Sequence, residues 1–472
     1  MSTNLKSLSF SDLLRLNFPH DPTESQDKAI ESFALFLSPK ENIQLMILKG
    51  YAGTGKTTLI KTLADTLSAA GKNVILLSPT GRGAKVMSDI SKHDAFTIHK
   101  HIYNFALKPN GSAQFKMAFN KYSNALFIID EASMIQGGNT NREKGGFIMP
   151  DSGLLRDLFD FVHSNKDNKM LIIGDPAQLP PINHEQSPAL NENYMAVEFD
   201  TIPLVVKLHE IVRQAKDSGI LVNATLVRNL IDENKIEWPK FDTQDYDDII
   251  EPEPGLIKDM IDESFNGKNN DSVIITVSNK MANKYNEFIR SGILLRENEL
   301  DAGDMIMSVK NNYFWLDNTG KDFIANGEMM QIASVRNTED KYGFRFADVS
   351  VKLLYQKGEP MVDMKVLLDT LHLPSPALPH ERYMDLWNSI MPKSGGKLTK
   401  KKQLEILREN PYINALQIKF AWALTCHKAQ GGQWKQVFVD TEFLMKRPAE
   451  TSGLKWLYTA ITRAREKLIL LR

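Results

Sequence analysis

Cysteine is nearly missing from this chain: Cys426 is the only one in 472 residues. An internal disulfide is therefore excluded, and a reducing compartment fits. Also lacking is any run near the roughly 20 consecutive apolar residues that a membrane span requires. The segment Met1 to Pro22 sets Lys6, Asp12 and Arg15 among short apolar pairs, without the continuous apolar stretch of a secretory signal. The expectation is a cytoplasmic protein with no membrane partner. Neither sign of charge is in excess, since 57 Lys and Arg face 58 Asp and Glu for a net −1. A polyanion would have to be met by a local basic groove and not by the whole surface. No internal repeat or low-complexity tract is present.

What the chain does have is the material for large cores: 42% of its residues are hydrophobic and 24% charged. Its length suggests two to four domains. The first two hundred residues alternate short apolar runs with helix-period segments, which predicts an α/β fold with a parallel sheet. Ile30, Phe33, Ala34 and Leu37 recur at helical spacing, with Thr23 or Asp21 available as cap. Ile43–Leu48 reads as a strand, followed by a Gly-rich turn and a helix from Lys56 to about Ala70, stopped by Gly71. Val74–Leu77, Leu126–Ile129 and Met170–Ile173 read as further buried strands. Asn110-Gly111, between apolar-rich runs, predicts a hairpin inserted at about 102–123. Gly137 to Asp151 is rich in turn residues and reads as a surface loop.

A second α/β unit is expected to begin near Leu204, with helices at Ser218–Asp232 and Asn279–Arg290 and a strand at Val273–Val277. Between Leu294 and Pro411 the pattern changes. Gly303, Gly320, Gly327, Gly343 and Gly358 separate short β-like runs, so a mostly β insertion is expected there. Strands are expected again at Ile413–Leu424, Val437–Val439 and Lys467–Leu471. The predicted division is 1–203 for the first unit, 204–293 with 412–472 for the second, and 294–411 for the insertion.

Three motifs carry chemistry. Gly50-Tyr51-Ala52-Gly53-Thr54-Gly55-Lys56-Thr57 fits the P-loop pattern in the strand–turn–helix context that the motif demands. Its glycines let backbone N–H groups curl around phosphate at a helix N-terminus. Lys56 would supply a point charge to the outer phosphates, and the Thr57 hydroxyl a ligand to Mg²⁺, so ATP and Mg²⁺ are the expected cofactors. Asp130 and Glu131 follow an apolar run. Such a pair is more often a solvated turn, but after a P-loop it suits a magnesium shell at Asp130 and a base for water at Glu131. Gly174 to Pro181 also leaves a strand; alone it reads as a turn, and beside a P-loop it places Gln178 to sense the γ-phosphate.

Taken in order, these motifs resemble superfamily 1 helicases of the RecD and Dda type. The likeness runs from Thr23-to-Gln26 through the P-loop, Ser78-Pro79-Thr80, Thr97-Ile98-His99, Asp130-Glu131-Ala132-Ser133 and Gly174-to-Pro181. It continues in Val212-Arg213-Gln214, in Leu424 to Gly431, and in Tyr458-Thr459-Ala460-Ile461-Thr462-Arg463-Ala464-Arg465. The resemblance implies two RecA-like P-loop NTPase domains, a β-hairpin pin inserted in the first and an SH3-like insertion in the second. It implies that Gln26 reads the adenine edge, and that Arg213 and Arg463 approach the γ-phosphate when the domains close. Thr58, Gln430 and Gly431 join Gly50, Ala52, Gly53, Thr54, Gly55, Lys56 and Thr57 around the nucleotide. Thr80, Thr97, His99, Thr425 and His427 are expected to face single-stranded DNA, with a satisfied core histidine as the less favoured alternative for His99 and His427. Phe105 and Asn110 are expected in the pin, where Phe105, Phe115 and Phe119 either stack on the last base pair or pack the hairpin down. Lys397, Lys400, Lys401 and Lys402 form a basic run that is a solvated face or a DNA contact. Tyr313, Phe314 and Trp315 read mainly as core. The chain departs from its relatives at Gln433, where an acidic residue is frequent.

The implied activity is ATP-dependent unwinding with 5′ to 3′ movement on single-stranded DNA and duplex junctions, by a monomer. Alternatives are a motor subunit of an exonuclease V-like complex, with a protein partner in repair or replication, and a translocase that strips proteins from DNA.

Overall fold

The computed structural model describes residues 8–107, 113–138, 142–143, 147–148, 153–212, 217–266, 271–316, 323–355, 358–391, 405–406 and 409–472. Its first half is built on β1 (Leu45–Gly50), β2 (Asn73–Ser78), β3 (Ala95–Thr97), a hairpin of β4 (Tyr103–Leu107) and β5 (Ala113–Met117), then β6 (Ala125–Ile129). Two short strands, β7 (Arg142–Glu143) and β8 (Phe147–Ile148), precede β9 (Lys169–Gly174) and β10 (Leu204–Leu208). Six of these make one sheet in the order β10-β1-β9-β6-β2-β3. Every pairing within it is parallel.

Side-chain alternation explains why such a sheet needs helices on both faces. Leu45 and Ile47 of β1, Ile75 and Leu77 of β2, and Phe127 and Ile129 of β6 enter one core. Met46, Leu48, Leu76, Leu126 and Ile128 enter the other. The helix Glu24–Leu37 covers the second face with Ile30, Phe33 and Phe36. Its start is fixed by a capping box in which Thr23 and Gln26 satisfy each other's backbone N–H groups.

The hairpin is antiparallel, with Tyr103 opposite Met117 and Leu107 opposite Ala113. Its turn at Asn110-Gly111 lies outside the described residues. β8 and β7 extend it into a four-stranded sheet, ordered β4-β5-β8-β7, from a segment that its composition marks only as loop.

The second half contains β11 (Ile249–Ile250), β12 (Ser272–Thr276), and then β13 (Met305–Ser308), β14 (Met329–Lys341), β15 (Phe344–Leu353), β16 (Met361–Leu367) and β17 (Leu416–Phe420). These last five close into a barrel. β18 (Ala423–Thr425), β19 (Trp434–Asp440) and β20 (Ala464–Leu471) complete a parallel sheet ordered β11-β20-β19-β12-β18. The mostly β insertion is thus present as a barrel.

Two strand assignments differ from the sequence reading. Leu204, expected to open the second unit, opens β10 of the first sheet, where it pairs with Met46. A five-residue apolar strand does not say which sheet it joins. Ile413–Leu424, read as one strand, is two: β17 closes the barrel and β18 enters the second sheet. The break falls at Ala421 and Trp422, both buried, so apolar content gave no sign of it.

Barrel and second sheet share one core, in which Ile274, Phe438 and Ile469 of the sheet meet Ile306, Ile332, Val351 and Ile418 of the barrel. An ionic joint reinforces this seam. Asp304, fully buried just before β13, accepts from Arg290 Nε at 3.1 Å and from the Asp301 backbone N–H at 2.7 Å, and it also pairs with Arg296. Removing the carboxylate would leave two arginines without their buried partner. Asp304→Ala is expected to cost about 3–5 kcal/mol in urea unfolding. Alanine at the exposed pair of Glu24 and Lys28 should cost under about 1 kcal/mol in the same assay.

Candidate functional site

In an open parallel sheet, ligands gather at the carboxyl ends of strands. β1, β9 and β6 are neighbours, and their ends carry the P-loop, Asp175 and Asp130 respectively. After β1 the chain turns through Gly53 and Gly55, at φ 75° and 81°, a region that side chains with a Cβ avoid. A Cβ on Gly55 would also lie 2.4 Å from Gln26 Nε2. The helix Lys56–Ala69 then begins with its free N–H groups facing the loop. Lys56 Nζ donates to the carbonyls of Gly50 and Tyr51, each at 2.8 Å, so the ammonium is held against its own loop. Thr57 and Thr58, both half-buried, occupy the first turn. Gln26 is fully buried; its Nε2 donates to Thr54 O at 3.0 Å, and its Oε1 accepts from Thr23 N at 2.9 Å. Both ends of the amide expected at the adenine are therefore engaged with the chain itself.

Beyond β6, Glu131 adopts φ 54°, which turns the chain sharply and lets its N–H donate to Asp130 Oδ1 at 2.9 Å. Burial, and then the adjacent Glu131 carboxylate, push Asp130 up to about 7, with Lys56 opposing the rise. After β9, Asp175 is buried and accepts from Tyr458 Oη at 2.7 Å and from Ala177 N at 3.0 Å. Burial raises its pKa as well, again opposed by Lys56. Gln178 is buried, and its Oε1 has no hydrogen-bond partner among the described residues. A buried acceptor without a donor costs free energy, and it marks where a ligand or its water shell would be met. The glycine cradle, one ammonium, a threonine hydroxyl and a raised carboxylate together suit a nucleoside triphosphate with a divalent cation.

The second sheet closes the cleft. The helix Thr451–Ile461 ends beside it, and Arg463 follows. Arg463 is 2% exposed, and its Nε donates to Thr459 O at 3.0 Å, which fixes the guanidinium to the helix end. Its Nη1 lies 3.9 Å from Glu131 Oε1. Thr459 Oγ1 accepts from Leu179 N at 2.8 Å, and Gln430 Nε2 donates to Leu179 O at 2.8 Å. The segment bearing Gln178 is thereby held by two residues of the second lobe.

A separate junction involves Arg82, on the helix Gly81–Ser91. Its guanidinium lies 3.6 Å from the centre of the Trp434 ring, and it donates to Tyr355 Oη at 2.8 Å and to Gln433 O. First sheet, second sheet and barrel meet there. Gly431 and Gly432 allow the approach, since a Cβ would fall 2.5 Å from Thr80 Oγ1 and 2.6 Å from the Trp434 ring. Alongside, a channel of 770 Å³ runs between this helix with β3 on one side and Glu328, Tyr355 and Gly358 of the barrel region on the other. Lys85, Lys92 and Lys100 line it with Asp89, Asp94 and Glu328, so its charge is balanced and not the basic groove that a polyanion would call for.

The remaining expected residues scatter more widely. Thr97 lines the channel and caps the next helix through Lys100 N at 3.3 Å. Thr80 caps the helix bearing Arg82, accepting from Gly83 N at 3.1 Å. His99 is half-buried against Tyr103. Thr425 ends β18 and His427 lies in the short helix Cys426–Ala429 that follows, exposed. Arg213, Asn110 and the lysines at 397 and 400–402 lie outside the described residues, and Phe105 is placed only through the backbone of β4. Trp315 is held by Asn414 O at 2.9 Å, and Tyr313 packs on Phe323, as core readings suggest. Phe119 is 89% exposed beside the hairpin. Sequence reasoning missed Arg82, and it quoted Asp175 and Tyr458 without a role. Tyr458 was within reach as a polar aromatic in an apolar helix, whereas nothing local marks Arg82.

Cradle, paired carboxylates and an arginine delivered across a cleft form a P-loop-type nucleotide site between two parallel-sheet lobes. Two family models match, an AAA domain over residues 23–142 and a UvrD-like helicase C-terminal domain over residues 420–471. The chain is 24% identical to the ATP-dependent DNA helicase dda of Enterobacteria phage T4, over 94% of this chain and 98% of that one. It is 27% identical to the ATP-dependent RecD2 DNA helicase of Deinococcus radiodurans over 34% of this chain, and 23% identical to protein MJ1519 of Methanocaldococcus jannaschii over 98% of it. It spans 20% and 40% of those two longer proteins. The chain is thus similar to superfamily 1 helicases, as its motif order implies.

Two outcomes follow for the carboxylates. Glu131→Gln should retain nucleotide binding and lower turnover by about 10²–10⁴-fold, read from steady-state hydrolysis. Asp130 has a folded pKa raised to about 7 from 3.8, so its charge destabilises the fold above 3.8, increasingly until about 7. Asp130→Asn should therefore raise Tm by a few degrees at about pH 8, and the gain should vanish near pH 4.

Proposed function

We propose that the protein is an ATP-dependent DNA helicase that moves 5′ to 3′ on single-stranded DNA and opens duplexes ahead of it. The observation that carries this reading is Arg463, buried in the second lobe yet 3.9 Å from Glu131 of the first. A charge supplied across a cleft stabilises the transition state only when the lobes are together, so hydrolysis and lobe motion become one event. No helix among the described residues is long and apolar enough to cross a membrane.

In this reading the N–H groups from Gly53 to Thr58 and the Lys56 ammonium hold the phosphates, and Glu131 takes the proton of the attacking water. Mg²⁺, when bound through Thr57 and the Asp130 shell, would neutralise phosphate charge. Gln178 meets the γ-phosphate side and passes its state to Gln430 through the Leu179 carbonyl. Arg213 supplies the second positive charge. Thr80, Thr97, His99, Thr425 and His427 hold DNA phosphates, and the hairpin of β4 and β5, with Phe105, Asn110 and Phe119, acts as the wedge. The lobes divide after β10, with the second lobe split around the barrel, and the protein acts as a monomer.

A motor subunit in an exonuclease V-like assembly is the second reading, supported by the chain's similarity to the RecBCD enzyme subunit RecD of Buchnera aphidicola, 22% identical over 94% of this chain. One assay separates these readings from a translocase that only displaces proteins: hydrolysis with and without single-stranded DNA, beside unwinding of duplexes with 5′ or 3′ tails. Stimulation with unwinding of the 5′-tailed duplex is expected. Preferential opening of the 3′-tailed duplex would reverse the direction, and stimulation without opening would favour the other two readings.

A further inference from the structure

The first lobe is held by the second at a point that the catalytic scheme does not use. The Tyr458 side chain is 1% exposed, and its hydroxyl has two partners, both in the first lobe. It donates to Asp175 Oδ2 at 2.7 Å and accepts from the P-loop N–H of Ala52 at 2.9 Å. Asp175 follows β9 and Ala52 follows β1, so one oxygen ties together the ends of two adjacent strands. Neighbouring contacts point the same way: Tyr51 Oη donates to Asp232 at 2.8 Å, and a Cβ on Gly53 would touch Leu221.

The last turn of the helix Thr451–Ile461 is therefore a rigid block with two anchors, Tyr458 on the strand ends and Thr459 on Leu179 N. Arg463 is fastened to that block through Thr459 O, and its 3.9 Å approach to Glu131 is set by where the block sits. The separation is already long for an ion pair, so a small tilt of the block would break it.

Resting on the helicase reading above, we infer that Tyr458 is a positioning residue for hydrolysis: its hydroxyl, clamped between Asp175 and the Ala52 N–H, sets the register of Arg463 against Glu131. The hydroxyl touches the loop before its phosphate-facing turn, so nucleotide affinity is set elsewhere, by the N–H groups from Gly53 onward and by Lys56. Its loss shows in the chemical step and not in binding.

The test is single-turnover and steady-state hydrolysis by the full chain with Tyr458→Phe, Arg463→Ala and the double variant. Tyr458→Phe should lower kcat about tenfold, as loss of a hydrogen bond to a carboxylate does. KM for ATP should stay within about twofold, because K_M-type effects follow ground-state contacts that remain intact. The double variant should be no slower than Arg463→Ala, because a residue acting through another adds nothing once that other is gone. Should Tyr458→Phe fold poorly, Asp175→Asn weakens the same bond from its other end and should show the same lack of additivity. Unchanged kcat in Tyr458→Phe, a loss confined to KM, or losses that multiply in the double variant would each overturn the inference. Absence of hydrolysis by the unaltered protein would instead remove the helicase reading, and this inference with it.

Discussion

Everything in the cleft depends on a helix that belongs to one lobe and is satisfied by the other. The last turn of Thr451–Ile461 and Arg463 just after it present a phenol, a hydroxyl and a guanidinium, which meet Asp175, Leu179 N and Glu131 across the gap. Buried polar groups must be paired, so a helix with these three groups at one end cannot rest against an apolar surface. The second lobe thus meets the strand ends of the first through polar pairing, beside an apolar contact in which Ala177 and Leu179 join the core of the second lobe. Such an attachment is specific in geometry, and it yields to a competitor that offers the same hydrogen bonds.

The same logic governs the carboxylates. Asp130 and Asp175 are both pushed toward protonation by burial, and Lys56 opposes the push in both. The first lobe therefore stores unfavourable charge at the ends of β6 and β9, where a cation would relieve it. Stability is given up at the place where binding occurs, which is the common pattern of sites poised for a charged ligand.

Legibility in the sequence followed the range of the interactions. The P-loop, the Asp130-Glu131 pair and the helix Lys56–Ala69 were readable because their defining contacts lie within a few residues. The capping box at Thr23 and Gln26 is equally local, but the second bond of Gln26, to Thr54 O, is not, and so its engagement with the P-loop could not be foreseen. Arg82 sits in an ordinary amphipathic helix, and its partners Trp434 and Tyr355 are hundreds of residues away. The barrel was visible as a change of rhythm, glycines between short β runs, while its last strand was not separable from β18. Alternation reports which face of a strand is buried, never which sheet the strand enters, and that is why β10 was expected in the wrong lobe.

Strand order in the second sheet bears on how this chain is made. β20, at residues 464–471, lies between β11 and β19, so a strand made after both of its neighbours is an interior one. Until it is delivered, Ile249 and Ile250 have no neighbour on that side, and β19 shows an open edge bearing Val437, Phe438 and Val439. The first sheet, by contrast, is complete once Leu208 has been made. A ribosome working along this message would therefore release a finished first lobe early, and the second would stay unsealed until β20 has been made. Until then, that unsealed edge is open to pairing with other chains.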